Sequence, residues 1–220
     1  QLEQWEAAEA DMRRSAEEAF NLPVRFERYK TRGDWWAAAI YGERMIELDP
    51  KGQSWIDLAP VLVLRGKEDD YRAFCKRRIE ADSQWEDRSG DTCKLCLLLP
   101  DAVPLDQLPI SRFIKLMDEG NMPTSMAPWN WGARALIAYR SGASEEVAGY
   151  VKKQQENDPN DLARALGLAC LALAEHDLGK LESYETTMKE FSELLDKHPR
   201  KNHRDWLIAD ILRREAEALE

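Results

Sequence analysis

The chain has 220 residues, which is enough for one large domain or two small ones, and a formal net charge of −10. A surface this acidic repels phosphate backbones, so nucleic acid is not an expected partner. No apolar run approaches the roughly 18 residues of a membrane span, no signal peptide is evident, and the four cysteines lie in apolar or amphipathic runs, so we expect a cytoplasmic protein with reduced thiols.

Helical periodicity runs through most of the chain, and strand-like alternation is not evident. An N-terminal helix is predicted over residues 2–20, followed by a helical hairpin over 21–50 that turns at Gly33 and stops at Asp49-Pro50. The second helix of this hairpin carries an apolar stripe at helical spacing. The stripe comprises Trp35, Ala38, Ala39, Gly42, Met45, Ile46 and Leu48.

A second hairpin is predicted over residues 54–81, with Ser54 as the helix cap and the turn at Gly66. Its first helix contains Pro60, which predicts a kink. The next region is irregular: it has predicted helices over 91–99 and 110–119 and proline-marked loops over 100–109 and 122–128. The second of these helices is predicted to stop at Gly120.

Two further hairpins are predicted over residues 127–159 and 163–199, with turns at Gly142 and Gly179. A last helix over 203–220 has one apolar and one polar face, which suits a terminal cap on an open stack. The expected fold is therefore all-α, with about five helical hairpins, the third irregular, in a single domain over residues 1–220.

The turn glycines are separated by steps of 33, 76 and 37 residues. The middle step is about twice the other two, which predicts a unit between Gly66 and Gly142 that has lost its glycine. Gly33 to Pro50 and Gly142 to Pro159 both span 17 residues. Close helix contact requires small side chains, and alanine stands seven residues before three of the glycines, at Ala59, Ala135 and Ala172. Trp55 and Trp131 each stand eleven residues before their glycine, where a large side chain is predicted to fill the wedge between helices.

With these glycines and alanines, residues 21–81 and 127–199 resemble tetratricopeptide repeats. Tyr71 and Tyr184 depart from the pattern, because alanine is usual there. The stretches WNWGARALIAYRSG, CKLCLLLPDAVP and DWLIADILRREAEAL resemble more closely the degenerate repeats found C-terminal to bacterial eukaryotic-like Ser/Thr protein kinases and WD40-type chains. The resemblance implies a right-handed superhelix of hairpins with capping helices. It also implies an appended interaction or regulatory region, with an attached kinase domain as a possible partner.

Candidate chemistry is weak throughout the sequence. Cys93 and Cys96 would need His198 and His203 to complete a zinc site, but 101 residues separate the two pairs. Cys170 and His176 point to different sides of one helix, which argues against a nucleophile and base. No phosphate-binding glycine loop is present. We therefore expect no catalytic residues, no metal and no cofactor.

The remaining candidate site is the concave groove that the first helices of stacked hairpins line. Projecting that geometry onto the sequence predicts these groove residues: Glu27, Lys30, Ile56, Val63, Trp129, Leu136, Tyr139, Arg140, Leu173 and His176. Trp129, Tyr139 and Arg140 are of types enriched at interface hot spots. Packing of Trp129 and Tyr139 against the irregular unit is the alternative for those two.

Three functions are compatible with this sequence. The favoured one is a scaffold that binds a partner peptide or domain in the groove, because the repeats account for most side chains without chemistry. An intramolecular regulatory region of a larger kinase-type signalling protein is the second. An α-solenoid enzyme or small-ligand binder is the third, and it lacks a convergent set of titratable residues.

Overall fold

The computed structural model describes residues 2–18, 20–82, 88–157, 160–197 and 203–219. All regular structure in these ranges is helical, and none of them contains a strand, which confirms the all-α class. The chain divides into two compact units, residues 1–71 and 72–220. The single domain predicted from the repeat spacing stays a prediction.

In the first unit, α3 lies at the centre and packs against α1, α2 and α4. The bounds of its helices are α1 Leu2–Glu17, α2 Leu22–Thr31, α3 Trp35–Leu48 and α4 Ser54–Arg65, and α5 Glu68–Asp82 continues into the second unit. The helices approach closely at Gly42 of α3, where an added Cβ would lie 2.8 Å from Leu58 Cδ1 and 3.0 Å from Phe26 Cε2. Most of the predicted stripe faces this core, but Leu48 is 61% exposed because α3 ends there.

The second unit is centred on one long helix, α10, which packs against α8, α9, α11 and α12. The helices of this unit are α6 Ser89–Cys96, α7 Ile110–Asp118, α8 Ala127–Arg140, α9 Ser144–Glu156, α10 Asp161–Asp177, α11 Leu181–Lys197 and α12 Arg204–Glu217. Single 3₁₀ turns occur at Leu105–Gln107 and Thr124–Met126. These four partners are the two helices before α10 in the chain and the two helices after it.

The predicted turn glycines all adopt positive φ, with values of 71° at Gly33, 77° at Gly66, 75° at Gly142 and 67° at Gly179. Gly120, the predicted stop of α7, has a φ of 69°. At Gly33, Gly120, Gly142 and Gly179, the glycine N–H donates to the carbonyl three residues back and the next N–H to the carbonyl five residues back. This pattern is the Schellman motif, so one local device ends helices in both units.

Asp101, which lies between Gly66 and Gly142, also has a positive φ, of 56°. Asp101 follows Gly66 by 35 residues, close to the spacing of the turn glycines. No other residue besides glycine has positive φ in the ranges given above. Aspartate tolerates the left-handed region better than most side chains, so the chain turns here without a glycine.

The side chains settle how three of the predicted helices begin. Gln53 precedes the first residue of α4, so Ser54 is not the cap that its residue type predicts. Asp34 and Asn160 do cap α3 and α10, accepting from the backbone N–H groups of Ala37 and Ala163. The predicted stops at Pro159 and Pro199 lie outside the described residues.

The predicted close-packing alanines are fully buried: Ala59, Ala135 and Ala172 are each 0% exposed. Trp55 is also buried, and its indole N–H donates to the Pro50 carbonyl at 2.8 Å, as a wedge between helices requires. Trp131, its predicted equivalent, is only part-buried, so the wedge interpretation is wrong for the second tryptophan.

Candidate functional site

In the first unit, the predicted groove residues are largely core residues. The Lys30 side chain is 3% exposed, with its ammonium 3.7 Å from Asp57 Oδ1 and 5.0 Å from the centre of the Phe26 ring. It also donates to Glu27, which is exposed. Ile56 is buried and Val63 part-buried. Lys30 is therefore held by structural contacts and, like Ile56, is not presented to a partner.

In the second unit, Arg140 of α8 is a structural cross-link. Its side chain is 6% exposed and pairs with Glu215 of α12, where Nη2 lies 2.6 Å from Oε2. The same guanidinium donates to the carbonyls of Leu97 at 3.0 Å and Leu98 at 3.4 Å. Arg140 thus joins α8 to α12 and to the end of α6, so its guanidinium is committed to contacts within the protein.

The other predicted groove residues of this unit divide by exposure. Leu136 and Leu173 are fully buried, which corrects their assignment to an open surface. Tyr139 is part-exposed, with Arg140 Cζ 5.2 Å from its ring centre. His176 is part-exposed and meets the ring of Tyr184 edge-on at 5.4 Å.

Trp129 is part-exposed, and the ammonium of Lys94 lies 5.4 Å from its ring centre. Lys94 is itself buried, at 3.7 Å from Asp91 Oδ1 and 3.7 Å from Asp205 Oδ1. This arrangement links α6, α8 and α12 through one cation. Trp129 is therefore partly committed to packing, which is the alternative that the sequence left open.

A different group of side chains presents aromatic surface on α8 and α9. Trp131 and Tyr150 stack with their ring centres 6.1 Å apart and an interplanar angle of 17°. Lys153 Nζ lies 4.7 Å from the Trp131 ring centre, and Arg134 Cζ lies 5.0 Å from that of Tyr150. We refer to these four residues as the α8–α9 aromatic cluster.

Two acidic side chains fix the α8–α9 aromatic cluster in place. Arg134 donates to Asp118 at 3.0 Å, and the hydroxyl of Tyr150 donates to Glu146 at 2.7 Å. Both rings are part-exposed and Lys153 is exposed. The cluster therefore presents two ordered aromatic rings and a cation to solvent.

Two pairs of residues in the sequence pointed to this cluster, but the repeat spacing did not single them out. Trp131 and Arg134 are three residues apart on α8, and Tyr150 and Lys153 are three apart on α9, so each pair shares a helix face. The repeat pattern assigned Trp131 to the core by analogy with Trp55. It predicted the α8–α9 hairpin, but not which faces of the two helices meet.

Metal and nucleophile chemistry find no support in the described ranges. They contain no group of three or more His, Cys, Asp or Glu side chains placed to hold a metal ion. His198, which the zinc hypothesis required, lies outside them. Cys75, Cys93, Cys96 and Cys170 are all free and buried, and burial raises the pKa of Cys93 and of Cys170 to about 12.

We expect the four cysteines to be unreactive in the folded protein, because all four are buried away from a reagent in solution. Burial also raises the pKa of Cys93, Cys96 and Cys170, and a thiol with a raised pKa holds little thiolate, the nucleophilic form, at about pH 8. A thiol-specific chromogenic reagent should label none of them in native buffer and all four in denaturant. Rapid labelling of any of them in native buffer would contradict this and reopen a redox or nucleophilic role.

No protein-family model matches the chain, and neither does any curated protein or any solved structure. None of the described helices is long and apolar enough to cross a bilayer. Function must therefore be argued from the geometry of this chain.

Proposed function

We propose that the chain is a tetratricopeptide-like stack of helical hairpins that binds a peptide or domain of a partner protein and performs no catalysis. The observation that carries the proposal is the α8–α9 aromatic cluster. Tryptophan, tyrosine and arginine are the residue types most enriched at interface hot spots. Here they lie side by side with their rings part-exposed and held by neighbouring contacts.

Serial packing supports the same proposal. In the second unit α10 contacts the two helices before it and the two after it, as a stack of hairpins requires. Such stacks bind extended segments along surfaces made by successive helices. The cluster draws on two successive helices, so one partner segment could contact both.

In this proposal the partner contacts the α8–α9 aromatic cluster and not the predicted groove. Arg140 and Lys30 are engaged in internal polar contacts, and freeing them would leave buried polar groups without partners. Leu136 is fully buried and not available to a partner. The rings of the cluster are already ordered, so a partner that packs on them does not need to immobilise long flexible side chains.

A peptide-display selection tests the proposed function. Random peptides are enriched on the immobilised unaltered chain and on the Trp131→Ala variant in parallel. We expect enrichment on the unaltered chain and its loss on Trp131→Ala, because removing a hot-spot tryptophan costs about 2 kcal/mol or more of binding free energy. A Trp36→Ala chain, altered in the first unit, is the matched control and should behave like the unaltered protein. Equal enrichment on all three chains would contradict the proposal.

A further inference from the structure

The polar atoms that the α8–α9 aromatic cluster leaves free are hydrogen-bond donors. In the part of the chain that the structure describes, the indole N–H of Trp131 donates to no acceptor and is open to solvent. The ammonium of Lys153 lies 4.7 Å from the Trp131 ring centre and forms no ion pair with those residues. A segment that packs on these rings therefore meets free donors and needs acceptors of its own.

Charge does not select the occupant of the cluster. The two cations, Arg134 and Lys153, are matched by the carboxylates of Asp118 and Glu146, which already accept from Arg134 and from the hydroxyl of Tyr150. A cationic side chain is disfavoured, because the ring faces that would attract it already carry cations at 4.7 and 5.0 Å. What remains for recognition is flat apolar ring surface bordered by donors.

A proline-rich segment has the complementary chemistry. Proline has no N–H, so a run of prolines lays no unsatisfied donor against the rings, whereas other extended segments would place backbone N–H groups beside donors. The polyproline II backbone forms no internal hydrogen bonds, so its carbonyls are available as acceptors. Such segments are ordered before they bind, and aromatic-lined surfaces are their common docking sites.

We propose that the α8–α9 aromatic cluster binds a proline-rich segment of a partner protein in the polyproline II conformation. The proline rings would pack on the part-exposed rings of Trp131 and Tyr150, and the indole N–H would donate to a backbone carbonyl. Lys153 is exposed, so its ammonium is free to leave the indole face and donate to a second carbonyl. The inference rests on the proposed function and supplies the chemistry of the partner.

The test follows the indole N–H signal of Trp131 by NMR, assigned by its absence from Trp131→Phe, while a capped proline oligomer is added. The control oligomer has D-proline at alternate positions, which keeps the composition but breaks the polyproline II helix. We expect a saturable shift with the first oligomer and a response at least about tenfold weaker with the control. Equal responses to the two oligomers would overturn the inference. So would a response only to a capped glycine–serine peptide with one glutamate, which probes the charge of Lys153 alone.

A pair of variants tests the role of the indole donor, with backbone amide signals of α9 as the readout. Trp131→Phe keeps an aromatic ring but loses the N–H, so the dissociation constant of the proline oligomer should rise about fivefold or more. Trp129→Phe, at a part-exposed tryptophan of the same helix outside the cluster, is the matched control and should stay within about twofold. Equal dissociation constants for the two variants would contradict binding through Trp131.

The peptide-display selection separates this inference from the proposed function. We expect proline-rich sequences among the peptides that the unaltered chain enriches and Trp131→Ala does not. If the peptides lost on Trp131→Ala contain no proline, the inference is overturned alone and the proposed function stands. Equal enrichment on all chains would overturn both.

Discussion

Replacing Arg140 by methionine should lower the free energy of unfolding by about 3–4 kcal/mol, because removing one partner of a buried ion pair leaves the other uncompensated. Methionine keeps much of the apolar stem but donates no hydrogen bonds. Glu215 and the carbonyls of Leu97 and Leu98 would each lose a donor. The groove hypothesis instead predicts little change in the free energy of unfolding, since a residue that faces a partner is dispensable for folding.

Arg164→Met is the matched control. Arg164 pairs with Glu190, but the two side chains are 42% and 45% exposed, and exposed pairs contribute about 0–1 kcal/mol. Denaturant unfolding of both variants at one pH gives the comparison. Losses of similar size in the two variants would show that the Arg140 contacts do not stabilise the fold as described.

A second large effect is expected at Gly167 of α10, where alanine should cost about 2–3 kcal/mol despite its better helix propensity. An added Cβ would lie 1.9 Å from Gln154 Oε1 and 3.1 Å from its Cδ. Gln154 is 0% exposed, and its amide donates to the Pro128 carbonyl at 2.9 Å and to the Ala163 carbonyl at 2.8 Å. It therefore cannot swing aside without losing both hydrogen bonds.

Gly149→Ala, on the exposed face of α9, supplies the control, because an added Cβ there meets nothing within 4 Å. It should stabilise the protein by about 0.5–1 kcal/mol through helix propensity alone. Thermal melting of the two variants should therefore shift in opposite directions. In a Gln154→Ala background the cost of Gly167→Ala should largely vanish, and a cost that persists there would argue against the clash.

Gln154 explains how three helices meet in the second unit. Its amide lies between glycines of α8 and α10, and a Cβ on Gly132 would be 2.8 Å from Nε2. Gly132 of α8 and Gly167 of α10 thus both approach one buried polar side chain on α9.

The helices and their turns followed from the sequence because their causes are local. A positive φ needs glycine or another residue that tolerates the left-handed region. The glycines Gly33, Gly66, Gly142 and Gly179 therefore predicted four turns correctly. Asp101 escaped prediction because an aspartate at a left-handed position looks like any other aspartate. The end of α3 at Leu48 was predicted correctly, although Leu48 was expected to face the core and is exposed.

Side-chain roles that depend on distant elements could not be predicted in this way. Amphipathic spacing shows which face of α8 is apolar, but not that Glu215, 75 residues further on, pairs with Arg140. Trp55 and Trp131 each stand eleven residues before a turn glycine, yet Trp55 is buried and Trp131 is part-buried in the α8–α9 aromatic cluster. The cluster depends on which faces of α8 and α9 meet, and the predicted hairpin does not specify those faces.

Whether a peptide binds at the α8–α9 aromatic cluster or in the predicted groove can be measured by calorimetry. The dissociation constant of one enriched peptide is determined for Trp131→Ala and Trp129→Ala, at a temperature where both variants are folded. We predict that Trp131→Ala raises the dissociation constant about 30-fold or more while Trp129→Ala leaves it within about twofold. A larger rise for Trp129→Ala than for Trp131→Ala would place binding in the groove and rule out the cluster.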